Sequence, residues 1–229
     1  MKYAGRLRKP LFNFINRICE KRSFSFVSPD KDFSRCGKFT PQDIFKCLLT
    51  MEGSALSHEL LNYFNFCTNA PTKSAFVQAR AKIRHDVFEA LFYDFAAAAH
   101  KDNLFKGYRL LACDGSDVHI PTNPEDKGSY HHGTKPYNLL HMNALYDLMT
   151  CTYTDAVIQK RFDWNEHSSF IEMAKHHSGD NSLVIFIADR GYESYNNMAH
   201  ITEQGHFFLI RICDSKTNSI VSTLELPDD

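Results

Sequence analysis

The sequence has few of the features that mark a secreted, membrane or disulfide-stabilised protein. Its seven cysteines are odd in number and none are spaced as CxxC, so neither a disulfide framework nor a structural zinc site is expected. No stretch reaches ~18 apolar residues without a charge, and the basic start at residues 1–22 lacks the long apolar run of a signal peptide. We therefore expect no membrane span, no signal peptide and reduced thiols, as in the cytosol.

Apolar residues are abundant, which argues against intrinsic disorder. They make up 43% of the 229 residues, and phenylalanine alone supplies 19 of them. This composition can fill a hydrophobic core, and the length suits one large domain or two small ones.

The overall net charge of −1 hides a strong asymmetry between the two halves of the chain. Residues 1–109 hold 18 Lys+Arg and 10 Asp+Glu, which gives +8, whereas residues 110–229 hold 8 and 17, which gives −9. A basic half can bind a polyanion, and an acidic half can collect divalent cations. Uneven solvated faces on a neutral protein would explain the same numbers.

Helical periodicity dominates the first ~105 residues. Thr40, Pro41 and Asp43 form a helix start with a hydroxyl N-cap, proline at the first position and an acid in the first turn. Apolar residues then recur at helical spacing in four successive segments. The faces predicted to point inward are Ile44, Phe45, Leu48 and Leu49; Leu56, Leu60, Leu61 and Phe64; Phe76, Ala79 and Ile83; and Val87, Leu91, Phe92 and Phe95.

After Gly107 the pattern changes to strands separated by helices. The segment YRLLACDGSDVHI at 108–120, whose apolar run enters Asp114, is predicted as a strand. Two runs at 139–148 and 151–159 predict a hairpin, and a continuous apolar run ends at Asp189. Amphipathic helices at 164–177 and 194–205 alternate with the later strands, the last at 206–213. The sequence predicts an α/β fold, with a helical region at 1–105 and a mixed sheet with flanking helices at 106–229.

Two aspartates follow apolar strands and precede glycine-containing turns, in CDGSD and ADRGY. Ligands of open α/β sheets collect outside the carboxyl ends of parallel strands, so Asp114 and Asp189 could be neighbours there. Close carboxylates share a proton or hold a cation, and oxygen ligands suit Mg²⁺ or Mn²⁺. Two such ions ~3.5–4 Å apart can stabilise a phosphodiester displacement. Alternatively, each aspartate only caps the turn after it.

The motifs DGSDVHIP and IFIADRGYESYNNMAHITEQGHFFLIRI resemble bacterial insertion-sequence transposases of the DDE type, in the family numbered four. The resemblance covers residues 40–213 approximately. It implies a ribonuclease H-like catalytic domain, with Asp114 and Asp189 as the first and second catalytic and metal-binding carboxylates. The cofactor it implies is Mg²⁺ or Mn²⁺.

The resemblance also implies a third carboxylate, a glutamate on a helix well beyond the last strand. Glu193 is too close to Asp189 for that role, Glu203 lies within a helix between two strands, and Glu225 lies in a short polar tail. We therefore expect an incomplete ribonuclease H-like domain, truncated before this glutamate. The 229 residues alone are expected to bind DNA without cutting or joining it.

Basic and aromatic residues provide candidate DNA contacts. Lys73, Arg80 and Arg84 share roughly one face of the third helix and the turn after it, as in a recognition helix, although a solvated face explains them equally well. Arg190 could hold a phosphate beside the metal, and Tyr192 could stack on a base. Trp164 is expected to anchor the core.

The function predicted from these observations is DNA transposition, by metal-dependent cleavage and strand transfer. The expected partners are transposon ends and target DNA, both double-stranded, with a homodimer on DNA left open. The expected location is the bacterial cytoplasm, at the nucleoid. One alternative is a non-catalytic DNA-binding fragment that recognises element ends or inhibits an intact transposase by dimerising with it. Another is a metal-dependent nuclease that hydrolyses without joining.

Overall fold

The computed structural model describes residues 3–99, 103–177 and 183–212. The chain divides into two compact units, residues 1–98 and 99–229. Each unit has its own hydrophobic cluster. None of the helices in the described ranges is long and apolar enough to cross a membrane.

The first unit is helical. Its elements are α1 (Tyr3–Glu20), α2 (Arg22–Ser25), α3 (Pro41–Thr50), α4 (Leu56–Tyr63), α5 (Lys73–Arg80) and α6 (Asp86–Ala99, which ends just past the boundary).

The start of α3 follows directly from the local sequence. The Thr40 hydroxyl accepts from the Asp43 amide at 3.1 Å, and the Asp43 carboxylate accepts from the Thr40 amide at 2.9 Å. This reciprocal capping box satisfies amides that the helix leaves unpaired, and Pro41 fits the first position because it has no N–H to satisfy. Asp43 also accepts from the Tyr63 hydroxyl, which ties α3 to α4.

The core of the first unit contains most of the residues expected to point inward. Fully or nearly fully buried members include Ile44, Phe45, Leu60, Phe76, Ala79, Ile83, Val87 and Leu91. Two predictions were wrong: Leu49 is 55% exposed and Leu61 is 38% exposed. Each directly follows a residue predicted to point inward. Because a helix turns about 100° per residue, that next side chain points away from the buried face.

The second unit combines strands and helices in the predicted order. Its strands are β1 (Tyr108–Ile120), β2 (Tyr130–His131), β3 (Tyr137–Asp147), β4 (Thr152–Lys160), β5 (Leu183–Ala188) and β6 (Phe207–Ile210). Its helices are α7 (Glu166–His176) and α8 (Tyr195–Glu203), with a short 3₁₀ helix at Arg190–Tyr192 between β5 and α8.

These strands form one mixed sheet in the order β4-β3-β1-β5-β6, with the short β2 pairing with one end of β3. The strands β4, β3 and β1 are antiparallel, whereas β5 and β6 continue the sheet parallel to β1. An antiparallel meander extended on its other side by two parallel strands is a ribonuclease H-like sheet. The predicted α/β class is therefore confirmed.

The segment YRLLACDGSDVHI, predicted as a strand, forms β1. The glycine-containing turn expected after Asp114 does not interrupt it, because β1 continues through Gly115 to Ile120. The parallel partner β5 ends opposite Cys113, while the antiparallel partner β3 pairs with β1 as far as Ile120. Pairing with β3 therefore keeps the strand extended through a glycine that would otherwise favour a turn.

The helices α7 and α8 cover one face of this sheet. Phe170 and Met173 of α7 and Ile201 of α8 pack with Leu111 and Phe186 of the sheet in a single buried cluster. These apolar contacts fix the position of the start of α7 and of the segment that follows β5.

Candidate functional site

The two aspartates occupy corresponding positions on neighbouring parallel strands. Cys113 of β1 pairs with Ala188 of β5, and Asp114 and Asp189 are the next residues on each chain segment. Both are exposed. Because the pairing of β1 with β5 stops at Cys113 and Ala188, Asp114 and Asp189 occupy neighbouring backbone positions at one rim of the sheet although they are distant in sequence.

Each aspartate is held by the glycine-containing segment that follows it. Asp114 Oδ1 accepts from the Gly115 amide at 2.9 Å, and Asp189 Oδ1 accepts from the Gly191 amide at 2.8 Å. Asp189 therefore also caps the 3₁₀ helix, as the alternative interpretation expected. Within the described ranges, no lysine or arginine forms an ion pair with either carboxylate.

A third carboxylate, Glu166, lies against both glycines. Its Oε1 is 2.8 Å from the position that a Cβ on Gly115 would take, and its Oε2 is 3.7 Å from the corresponding position on Gly191. Glu166 is the first residue of α7, directly after the N-cap Asn165. The sequence analysis considered other glutamates and missed this one. The available signal was an acid in the first turn of a helix joining two strands of the same sheet.

His141 of β3 links Glu166 to β1. Its Nδ1 is 2.8 Å from Asp117 Oδ1, and its Nε2 is 3.2 Å from Glu166 Oε1 without hydrogen-bond geometry. The residue is only 5% exposed, and the Trp164 ring packs against it at 4.4 Å. The imidazole is therefore fixed between two carboxylates and faces Glu166.

The pKa values of two buried groups report the negative potential around this rim. Burial raises the pKa of the Cys113 thiol to about 12, and the charges of Asp114, Glu166 and Asp189 add to the increase. Burial also raises the pKa of Tyr192, with further contributions from Cys113, Glu166 and Asp114. All three carboxylates therefore act on the same small region.

The structure separates Arg190 from Tyr192, which were both predicted DNA contacts. Arg190 is exposed beside Asp189 and can meet a phosphate. Tyr192 is 2% exposed, and its hydroxyl donates to Asn143 Oδ1 at 2.8 Å. It is a core residue rather than an exposed stacking group, because its ring packs against Phe170 beneath the rim.

Trp164 also differs from its prediction as a core anchor. Its side chain is 37% exposed, with the Arg161 guanidinium 4.8 Å from its ring centroid on a face of the second unit. The loop before α7 thus presents an aromatic ring covered in part by a cation.

Only part of the predicted basic face in the first unit is free to bind DNA. Lys73 and Arg80 are exposed on α5. Arg84 lies after the helix, and its guanidinium binds Asp86 through two contacts of 2.6 and 3.1 Å. That pairing holds the pKa of Asp86 below its ordinary value and reduces the charge that Arg84 offers to DNA.

A basic groove beside α5 was not foreseen from the sequence. A cavity of about 620 Å³ is lined by residues of α5 and of the loop before α3. Its charged residues are Asp30, Lys31, Arg35, Lys38 and Lys82, an excess of three positive charges. These residues are scattered in sequence, so helical spacing does not reveal them.

Of the glutamates considered for the third carboxylate, the two within the described ranges, Glu193 and Glu203, do not form a ligand set with the two aspartates. Glu193 ends the 3₁₀ helix, and the exposed Glu203 ends α8 with its Oε2 4.0 Å from the His200 ring. Glu225 lies outside the described residues.

Two carboxylates at one rim fit a hard divalent cation, since oxygen ligands are what Mg²⁺ and Mn²⁺ prefer. Over residues 3–99, 103–177 and 183–212, however, no three His, Cys, Asp or Glu side chains already converge as a ligand set. A cation here would need waters or a side-chain movement to complete its shell.

A ribonuclease H-like sheet with aspartates directly after the last paired residues of its two central parallel strands defines a class of α/β catalytic domains. The model of the transposase DDE domain matches residues 105–224, more than half of the sequence, and the chain belongs to that family. No curated protein sequence matches this chain.

Two solved structures are similar to the chain at low identity. One is a cryo-EM structure of the piggyBac transposase synaptic complex with hairpin DNA, with 12% identity and a TM-score of 0.43; the match covers 90% of this chain and 47% of that one. The other is the Drosophila P element transposase strand transfer complex, with 12% identity, a TM-score of 0.41 and coverage of 90% and 46%. The chain spans about half the length of either protein.

Proposed function

We propose that this protein is a transposase that cleaves and joins DNA phosphodiester bonds with the help of Mg²⁺ or Mn²⁺. The observation that carries the proposal is the register of β1 and β5, which sets Asp114 and Asp189 side by side at one sheet rim. Membership of the transposase DDE domain family supports the same chemistry. Within that family, the motifs around both aspartates favour the bacterial insertion-sequence group numbered four, acting at the nucleoid.

In this proposal, Asp114 and Asp189 are the residues that would hold the metal. The metal, when bound, supplies charge neutralisation at the phosphate and lowers the pKa of water. The Gly115 and Gly191 amides fix one oxygen of each carboxylate, which limits the motion of the ligands. The exposed Arg190 binds a phosphate oxygen next to Asp189. Positioning and charge, rather than covalent chemistry by the protein, would account for most of the rate.

DNA binding is proposed for the basic first unit. Lys73 and Arg80 on α5, and the basic groove that other residues of α5 help to line, would neutralise phosphates of the DNA backbone. Phosphate contacts of this kind position the duplex and do not read its sequence.

Metal titration of the full chain tests the catalytic part of the proposal. Mn²⁺ should bind the unmodified chain, and Asp114→Asn or Asp189→Asn should weaken it strongly, whereas Asp163→Asn, an exposed acid in the loop before α7, should leave it unchanged. Equal Mn²⁺ affinity in all four proteins would overturn the proposal.

Assays on labelled element ends distinguish the alternatives. Joining of a 3′ end to a second duplex indicates a transposase, and cleavage without joining indicates a nuclease. DNA binding with no Mn²⁺ binding indicates the non-catalytic fragment. The expectation that these 229 residues bind DNA without cutting it stays a prediction of the same assay.

A further inference from the structure

We infer that α5 enters the major groove of duplex DNA and reads base edges through Ser74, Val77 and Gln78. The inference rests on the DNA-binding part of the proposed function and adds to it the residues that select a sequence. Its starting point is the exposed side of α5, where an uncharged strip lies between two positively charged edges.

The buried side of α5 determines which of its side chains face solvent. Phe76 and Ala79 are buried in the hydrophobic cluster of the first unit. Thr72 caps the helix, because its hydroxyl accepts from the Ala75 amide at 3.2 Å. The core and the cap hold α5 in place, so its opposite side is a rigid surface, as a helix that reads DNA requires.

An uncharged strip runs along this exposed side. It consists of Ser74, Val77 and Ala81, since residues three and four apart are neighbours on a helix surface. Ser74 and Ala81 are small, which lets the helix come close to base edges. Val77 is 45% exposed at the centre of the strip, where its methyl groups can contact the methyl group of thymine.

Gln78 borders the strip and supplies the hydrogen-bonding group for a base. It is exposed, and its Nε2 donates to the Ser74 hydroxyl at 3.2 Å, one turn back along the helix. This contact restricts the Gln78 side chain before DNA binds, so less conformational entropy is lost on binding. A glutamine amide offers a donor and an acceptor side by side, which match N7 and N6 of adenine in the major groove.

Lys73 and Arg80 form the first charged edge of the strip. Both are exposed, and two turns of helix separate them, so they lie nearly in line along α5. Their positive charges can therefore meet phosphates of one DNA strand.

The basic groove lies at the other edge of the strip. Gln78 lines that groove and, at about 100° per residue, lies about 140° around α5 from Lys73. The cations of the groove are Lys31, Arg35, Lys38 and Lys82, and Asp30 offsets one of them. Positive charge thus flanks the uncharged strip on both sides. The major groove has the complementary pattern, because its base edges lie between two phosphate strands.

Selection by the full chain from a library of random-sequence DNA duplexes tests this inference. The unmodified chain should enrich a motif, and Gln78→Ala should lose the preference for adenine at one position of it. On the enriched duplex, we expect the Kd of Gln78→Ala to rise on the order of 5- to 150-fold, the range for a lost base contact. Binding to an unrelated duplex and the salt slope should stay the same, because no charge is removed.

Asn13→Ala is the matched control, since it removes an exposed amide from α1 of the same unit. It should enrich the motif of the unmodified chain. Alanine favours helices, so α5 should persist in Gln78→Ala, and circular dichroism checks this. Lys73→Ala/Arg80→Ala should differ from Gln78→Ala by weakening binding to both duplexes alike.

The outcomes separate this inference from the proposed function. If the full chain binds no duplex, the DNA-binding part of the proposed function fails. If it binds duplexes but enriches no motif, or if Ser74→Ala, Val77→Ala and Gln78→Ala all enrich the unmodified motif, α5 does not read bases and the phosphate contacts stand. Equal affinity for double-stranded RNA of the enriched sequence would also overturn the inference, because side chains cannot read the deep, narrow major groove of A-form RNA.

Discussion

Gly115 leaves open the space beside Glu166, because a Cβ at position 115 would lie 2.8 Å from Glu166 Oε1 and 2.8 Å from His141 Nε2. Gly115→Ala should therefore displace the ends of both side chains. Glu166 is partly exposed and can move, but the buried His141 ring is held by Asp117 and Trp164, so we expect Gly115→Ala to cost about 1–3 kcal/mol in urea unfolding.

Gly133→Ala is the control for that substitution, since nothing lies within 4 Å of a Cβ at Gly133 and its backbone is not in the left-handed region. Urea denaturation of the two variants gives the comparison. An equal midpoint for Gly115→Ala and Gly133→Ala would show that the side chains around Gly115 move aside without cost.

The buried ion pair between Arg109 and Asp147 should dominate the electrostatic stability of the second unit. Arg109 Nε lies 3.0 Å from Asp147 Oδ2, and the other oxygen of Asp147 accepts from the Met149 and Thr150 amides. Asp147→Ala leaves a buried guanidinium without this partner and should cost about 3–5 kcal/mol in urea unfolding. Lys160→Met, which removes an exposed ion pair with Asp126, should give no measurable loss.

Alkaline pH should destabilise the first unit. Burial raises the pKa of Cys19 to about 12 and that of Cys47 to about 11, from an ordinary value of 9.0. Above pH 9 the unfolded chain releases thiol protons that the folded chain keeps, so stability is complete below pH 9 and falls as the pH rises toward 11–12. The urea midpoint should drop between pH 8 and pH 10.5, and less steeply for Cys19→Ala/Cys47→Ala. Parallel declines would contradict this account.

DNA binding should depend on Lys73 and Arg80 more than on Arg84, because Arg84 is already paired with Asp86. For the full chain, log K should fall with log salt at a slope of about −0.9 per neutralised phosphate. Lys73→Ala/Arg80→Ala should flatten that slope, and Arg84→Ala should change it less.

A second set of substitutions tests the groove beside α5. Lys31→Ala/Arg35→Ala/Lys38→Ala should flatten the salt dependence further, since all three residues are exposed at that groove. The matched control is Lys106→Ala/Lys127→Ala/Lys135→Ala, which removes three exposed positive charges from the second unit. If the control flattens the slope as much as the groove variant does, the contact with DNA is not confined to the first unit.

The sequence by itself determined the features that depend on neighbouring residues. The capping box at Thr40, the inward residues of the helices, the order of strands and helices, and the strand ending at Asp189 all follow from local spacing and turn chemistry. The neighbouring positions of Asp114 and Asp189 could be expected as well, since apolar runs predict central strands and parallel strands run side by side in the same direction.

Only the tertiary structure decided which side chains meet at the rim. Glu166 approaches the aspartates because α7 packs on the sheet through Phe170 and Met173, and no sequence period encodes that distance. Tyr192 is buried for the same reason, although its motif suggests an exposed turn. The continuation of β1 past Asp114 depends on hydrogen bonds to β3, which lies later in the chain. Such contacts join residues far apart in sequence, so they depend on how the elements pack rather than on local preference.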